Sequence, residues 1–192
     1  SNSTTGASAK MWLNKGTVGA GPSAASIAAP IPGDGKGEDR LNFIRGVRSK
    51  ESSNGGTFRN RKNIHGDIVN SAVWYTGAPV SGYSTSGYTS FAKAYRARLP
   101  MIYVGANDGM LHGFSAENGT EKIAYVPHGV IQNLAQLTDP LYDHRYYVDG
   151  SPMSGDIDLG GGTSTDWRTY LVSTLGAGGG CSLSLAQCGQ DC

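Results

Sequence analysis

Charged residues are scarce in this sequence. Asp, Glu, Lys and Arg make up 16% of its 192 residues, against roughly a quarter in ordinary soluble domains. Neither sign dominates: 16 Lys and Arg stand against 15 Asp and Glu, a formal net charge of +1. The basic footprint of a nucleic-acid binder is missing, and no polyanionic partner is implied. Long apolar runs are also missing; none approaches the roughly 18 residues that would cross a bilayer as a helix. The opening stretch SNSTTGASAK has no Met, no basic n-region and no apolar h-region, so any secretion signal is expected to have been removed or to lie outside this piece. Cysteine is confined to Cys181, Cys188 and Cys192. An odd count allows at most one intrachain bridge, and the spacing matches no zinc pattern, so these thiols are expected to have no designed role.

Glycine fills the space that charge leaves. There are 29 Gly, about twice the usual share, and Ser, Thr and Asn are abundant. This is the composition of a turn-rich, all-β, exported chain. The run RLPMIYVGANDGMLHGFSAENG (98–119) shows the pattern best. Met101–Val104 is apolar and β-rich, and Asn107-Asp108-Gly109 is a strong turn signal. Leu111–Phe114 alternates as a half-buried strand does, and Glu117–Thr120 turns the chain into Glu121–Val126. Three short antiparallel strands in succession form the inner part of a β-propeller blade.

The rest of the chain is uneven. Residues 1–38 are Gly/Ala/Ser/Pro-rich and read as linker or loop. Asp39 is placed to cap a short helix over Arg40–Arg45. Residues 46–66 read as a solvated basic loop, Asp67–Tyr75 as a strand, and 76–97 as a Tyr/Ser/Gly/Thr-rich loop. Tyr83 and Tyr88, with Phe91 and Tyr95, are candidates for an exposed contact patch, because Tyr supplies contact area at low entropic cost. His128–Leu137 carries Val130, Ile131, Leu134 and Leu137 at helical spacing. Tyr142–Val148 and Trp167–Leu175 read as strands. Trp74 and Trp167 are expected as core anchors.

Chemistry is thin. Asp149, Asp156 and Asp158, with Asp166 downstream, are weak calcium candidates, since no Glu closes the loop as an EF-hand requires; the expected reading is acidic turn residues between strands. His65, His112, His128 and His144 fall on different elements without an H-x-x-x-H spacing, and no zinc or catalytic role is assigned to them. No G-x-S-x-G elbow is present, and Gly176–Gly180 lacks the Lys-Ser/Thr of a phosphate loop. The expectation is a protein without catalytic residues and without a cofactor in this segment.

Several collinear phrases carry a resemblance: RLNFIRGVRS (40–49), FRNRKNIHGDIVNS (58–71), DIVNSAVWYTGAP (67–79), IYVGANDGMLHGFSAENGTEKIAYVP (102–127), LYDHRYYVDGSP (141–152) and WRTYLVSTLGAGG (167–179). Together they resemble the propeller domain of the PilC/PilY family of type IV pilus tip proteins. The resemblance implies a modified, roughly seven-bladed, quinoprotein-like propeller, of which residues 39–179 would supply the N-terminal part. At roughly 40–45 residues per blade that is about three blades, with one or two short helices. It implies an exported protein of a Gram-negative bacterium, at the pilus tip, the outer-membrane surface or in the periplasm. It implies adhesion and support of pilus extension through contacts with minor pilins, a host or surface receptor and the remaining blades. The family's calcium loop, which belongs to a later blade, is absent from this segment. The tail 180–192 departs from the family pattern, as a truncation or a shifted frame would. The alternatives are a quinoprotein-type dehydrogenase, suggested by Ser115–Glu121, and a purely structural scaffold. Three blades cannot close a ring, so the isolated chain is expected to be marginal, aggregation-prone or stabilised by a partner.

Overall fold

The computed structural model describes residues 34–161 and 164–179. The expected linker 1–38 lies outside the described residues as far as Gly33, and the cysteine-bearing tail 180–192 lies outside them entirely. Among the described residues, two short α-helices, α1 (Gly37–Ile44) and α2 (Tyr88–Ala94), accompany six strands: β1 (Trp74–Thr76), β2 (Met101–Ala106), β3 (Met110–Ser115), β4 (Glu121–Tyr125), β5 (Met153–Asp158) and β6 (Trp167–Val172). The strands form one four-stranded sheet in the order β1-β2-β3-β4 and one two-stranded sheet, β5-β6. Every pairing is antiparallel. A sequential four-strand meander is the unit of a propeller blade, so the all-β, partial-propeller expectation holds. One complete sheet and one hairpin stand where about three blades were expected.

The central hairpin follows directly from the sequence. Val104 pairs with His112 and Ala106 with Met110, closing the register at Asn107-Asp108-Gly109. Gly109 has φ +93°, and a Cβ there would meet Leu134 Cδ2 at 2.2 Å. The turn therefore needs glycine both for its left-handed backbone and for the leucine packed against it.

The buried cluster joins this sheet, through Met110, to the segments beside it. Phe43 and Ile44 of α1, Phe58, Met110, Val130, Leu134, Leu137 and Tyr147 form one buried cluster. The segment His128–Thr138 buries Val130, Leu134 and Leu137 as its spacing predicts, but winds as a 3-10 helix. Helix α1 begins earlier than expected, and Asp39 does not cap it. Lys36 is the N-cap residue without a side-chain cap bond, and Asp39 instead pairs with Lys50 at 3.3 Å.

Several sequence expectations fail, each for a local reason. The expected strand 67–75 pairs only from Trp74, because its upstream backbone bonds elsewhere. Asn107 N–H donates to the Asp67 carbonyl (3.0 Å), Asn70 N–H to Asp149 Oδ1 (3.1 Å) and Ala72 N–H to Ser151 Oγ (2.9 Å). The expected strand 142–148 is likewise claimed by side chains: Arg145 N–H donates to the Tyr142 hydroxyl (3.2 Å) and Tyr147 N–H to Asn107 Oδ1 (3.0 Å). Such side-chain bonds compete with ladder formation. Trp74 is no core anchor; it is 37% exposed and its indole N–H donates to Ser154 Oγ at 2.8 Å. Asp156 and Asp158, expected as acidic turn residues between strands, lie on strand β5, and the expected loop 76–97 contains α2.

The segment 46–66 is not a solvated loop. Phe58 enters the core, and Glu51 and Arg61 form a buried ion pair, 2.8 Å from Arg61 Nε to Glu51 Oε1. Arg61 also donates to the Phe43 carbonyl (2.5 Å) and the Val47 carbonyl (2.8 Å). Its guanidinium lies 3.6 Å from the centroid of the Phe43 ring. One side chain thus binds a carbonyl in the last turn of α1 and one just beyond the helix, and covers a core aromatic.

Candidate functional site

The β2–β3 turn builds the most concentrated group of ionisable side chains. Asp108 sits in the turn, and its Oδ1 accepts the Met110 N–H at 3.2 Å. His112 follows four residues later on β3, with Nε2 3.1 Å from both Asp108 oxygens. Glu121 opens β4, and its Oε1 lies 2.5 Å from His112 Nδ1. A carboxylate only accepts, so the imidazole, held between two carboxylates, donates on both sides as an imidazolium. Burial resists charging His112, but the hydrogen bonds and charge of Asp108 and then Glu121 outweigh it, and its pKa is raised. Burial likewise resists ionising Asp108, and the His112 hydrogen bond overcomes it and lowers that pKa.

His65 arrives from the segment ahead of β1. Its ring centroid lies 4.1 Å from that of His112, and Phe114 stacks at 5.9 Å from His112. Gly66 permits the approach: its N–H donates to Asp108 Oδ2 at 2.7 Å, and a Cβ on Gly66 would lie 2.3 Å from the Asp108 nitrogen. No sequence spacing links these histidines, yet the fold brings His65, Asp108 and His112 together, one ligand-type atom from each lying within 4.8 Å of the others. The local signal for the pair is the turn itself, which sets Asp108 four residues before His112 across a tight hairpin.

His65 and Asp108 line a cleft of about 280 Å³. Its wall also carries Asp67, Asn107, Tyr142 and His144. His144 Nε2 is 2.7 Å from Asp67 Oδ2, with Asn107 Nδ2 donating to the same oxygen at 3.2 Å. Burial raises the Asp67 pKa, and the His144 and Asn107 hydrogen bonds more than reverse it. His128 is placed apart, at the start of the 3-10 segment.

The other sequence candidates separate. Asp149 is buried and accepts from Asn70 N–H and Asn70 Nδ2 (3.1 and 2.6 Å). Asp156 is buried under the Tyr88 hydroxyl (2.8 Å), Ser81 Oγ (3.2 Å) and Thr169 Oγ1 (2.6 Å). Asp158 Oδ1 accepts the Gly160 and Asp166 backbone N–H groups (2.9 and 2.7 Å). The three carboxylates serve three different places, each engaged by protein donors. Tyr88 is not the exposed contact residue expected of it: it is 4% exposed, with its hydroxyl committed to Asp156. Tyr83 is 47% exposed, stacked on Trp167 with ring centroids 5.2 Å apart. Trp167 also meets Tyr88 edge-on at 4.8 Å.

Comparison with known proteins bears on all of this. A model of the PilY1 β-propeller domain matches residues 65–191, a range that runs on through the cysteine-bearing tail. A type IV pilus biogenesis factor PilY1 homolog of Xylella fastidiosa strain Temecula1 is 46% identical over 147 residues, covering 73% of this chain and 12% of the relative. The type IV pilus biogenesis factor PilY1 of Pseudomonas aeruginosa strain PAK is 43% identical over 158 residues, covering 76% of this chain and 13% of the relative. The crystal structure of the Pseudomonas aeruginosa PilY1 C-terminal domain aligns with a TM-score of 0.34 at 43% identity, over 47% of this chain and 16% of that one. This chain therefore spans about an eighth of the length of these curated relatives. The family suggested by the collinear motifs is the one found: the chain belongs to the PilY1 family, and residues 65–191 match its β-propeller domain.

Proposed function

We propose that this chain is the beginning of a propeller that acts in type IV pilus biogenesis through protein contact, as an exported, tip-associated adhesin of a Gram-negative bacterium. The observation that carries the reading is the 46% identity, over 73% of the chain, to a protein named as a pilus biogenesis factor. The described surface supports it. The β5–β6 hairpin turns Met153, Ile157, Tyr170 and Val172 outward, each at least 42% exposed. Two-sided burial is the rule for propeller sheets, so this face fits the next blade of the longer protein. Tyr83, propped by Trp167, offers an amphipathic aromatic to a receptor or a minor pilin. No helix among the described residues is long and apolar enough to cross a membrane.

The test is genetic. The full-length gene carrying this segment is returned to a strain lacking it, either intact, with residues 65–179 deleted, or with Tyr83→Ala. The deletion should abolish surface pili, whereas Tyr83→Ala should keep pili and lower attachment several-fold. Normal piliation in the deletion strain would overturn the biogenesis role. Unchanged attachment in Tyr83→Ala would overturn the contact role of that residue.

A further inference from the structure

The geometry points to a divalent transition-metal site of the zinc class, held by His65, Asp108 and His112, with its fourth position open to the adjoining cleft. Four observations converge on it. The donor set is two imidazoles and one carboxylate, which suits zinc with a water or exogenous ligand completing the shell. The separations suit it too: Zn–N and Zn–O bonds of about 2.0–2.2 Å set the edges of a tetrahedron near 3.3 Å, and His112 Nε2 already stands 3.1 Å from Asp108 Oδ1; a bound ion would take the place of the hydrogen that Nε2 gives Asp108 without metal, and that proton would be released to solvent. The three ligand-type atoms lie within 4.8 Å of one another, His65 being the one half-buried member, and a bound ion would draw them in to the tetrahedral edge.

The outer partners are also in place. His65 Nδ1 lies 2.9 Å from the Gly66 carbonyl oxygen. A carbonyl only accepts, so Nδ1 carries the hydrogen and Nε2 keeps its lone pair for a metal. His112 Nδ1 faces Glu121 at 2.5 Å, which gives the carboxylate–histidine–metal arrangement that orients a ligating ring. The Gly66 N–H fixes Asp108 Oδ2 at 2.7 Å. Each ligand is thus aimed by a separate hydrogen bond, from a different part of the chain. A bound ion would pin the segment before β1 to the β2–β3 hairpin, two parts of the chain far apart in sequence. His65 and Asp108 both line the cleft, so an incoming ligand would reach the ion from that side.

The test uses the whole 192-residue chain with Cys181→Ser, Cys188→Ser and Cys192→Ser, so that the tail thiols cannot hold metal. Zinc is measured by equilibrium dialysis, and cobalt(II) serves as the visible-absorption probe of coordination. One equivalent of zinc should bind, the melting temperature should rise with zinc, and cobalt should give the intense visible bands of a four-coordinate site. His65→Ala and Asp108→Asn should each weaken zinc by 100-fold or more and remove those bands, and Glu121→Gln should weaken it by roughly 10–100-fold. Circular dichroism in chelator reports whether each variant folds. Should Asp108→Asn fail to fold, His65→Ala decides alone, since its half-buried ring is the least embedded of the three. A chain that holds no zinc at tens of micromolar, or one whose zinc affinity is unchanged in His65→Ala, would overturn the site.

Discussion

The buried Glu51–Arg61 pair offers the sharpest test of the packing described above. Glu51 is 1% exposed, and Arg61 gives it a hydrogen bond of 2.8 Å. Arg61→Ala leaves a carboxylate in the interior with only Arg48 nearby, 3.7 Å from its second oxygen. Breaking one side of a buried pair costs about 3–5 kcal/mol. For a chain of this size that corresponds to a fall in Tm of roughly 6–20 °C. Equilibrium urea unfolding followed by tryptophan fluorescence reads the change directly. The double variant Glu51→Leu with Arg61→Met should recover a large part of the loss, because an apolar replacement of both partners removes the stranded charge. Recovery will be incomplete, since the Val47 carbonyl loses its Arg61 donor. The pH dependence has a definite sign. Burial pushes the Glu51 pKa up, but the hydrogen bonds and charge of Arg61 bring it below its ordinary value of 4.5. Its contribution is therefore complete above that value and is lost as pH falls through the depressed one. Glu51→Gln should flatten that part of the acid limb. A loss under about 1 kcal/mol for Arg61→Ala, the range of surface pairs, would refute the reasoning.

Three further outcomes are expected. Trp167→Ala removes a half-buried ring stacked among Tyr83, Tyr88 and Phe91; the loss in urea unfolding should be roughly 2–3 kcal/mol, below the full-burial figure of 3–5, and a loss under 1 would place the ring outside the packing. Tyr88→Phe withdraws one of three donors from the buried Asp156 carboxylate and should cost about 1–3 kcal/mol, whereas Tyr83→Phe, measured alongside, should be nearly neutral. Gly66→Ala drives a Cβ to 2.3 Å from the Asp108 nitrogen; it should lower stability by about 1–3 kcal/mol and speed amide exchange at residues 65–67 and 107–109, and wild-type exchange rates there would contradict the close approach.

Much of the fold was legible because its signals are local. The β2–β3 hairpin and β4 follow from alternation and from Asn107-Asp108-Gly109, and the buried positions of 128–138 follow from periodicity. What failed was decided by distant partners. Residues 67–73 and 142–148 are β-rich, but Asn107, Asp149 and Ser151 capture their backbone N–H groups before any strand can. Asp156 looked like turn chemistry because its three hydroxyl donors come from Ser81, Tyr88 and Thr169, scattered over the chain. Tyr88 looked like surface for the same reason. The His65–Asp108–His112 group required a contact between a loop and a hairpin about 40 residues apart, which no local spacing encodes.

The shared interior of α1 and the hairpin fixes where this unit can be cut. Phe43, Ile44 and Phe58 lie upstream of residue 65, where the family match begins, yet they pack in one cluster with Met110, Leu134 and Tyr147. A fragment started at residue 65 would bare the other half of that cluster to water and discard the buried Glu51–Arg61 pair outright. Any excised version meant to stay soluble has to retain the chain back to Asp34, whose carboxylate clasps Arg40.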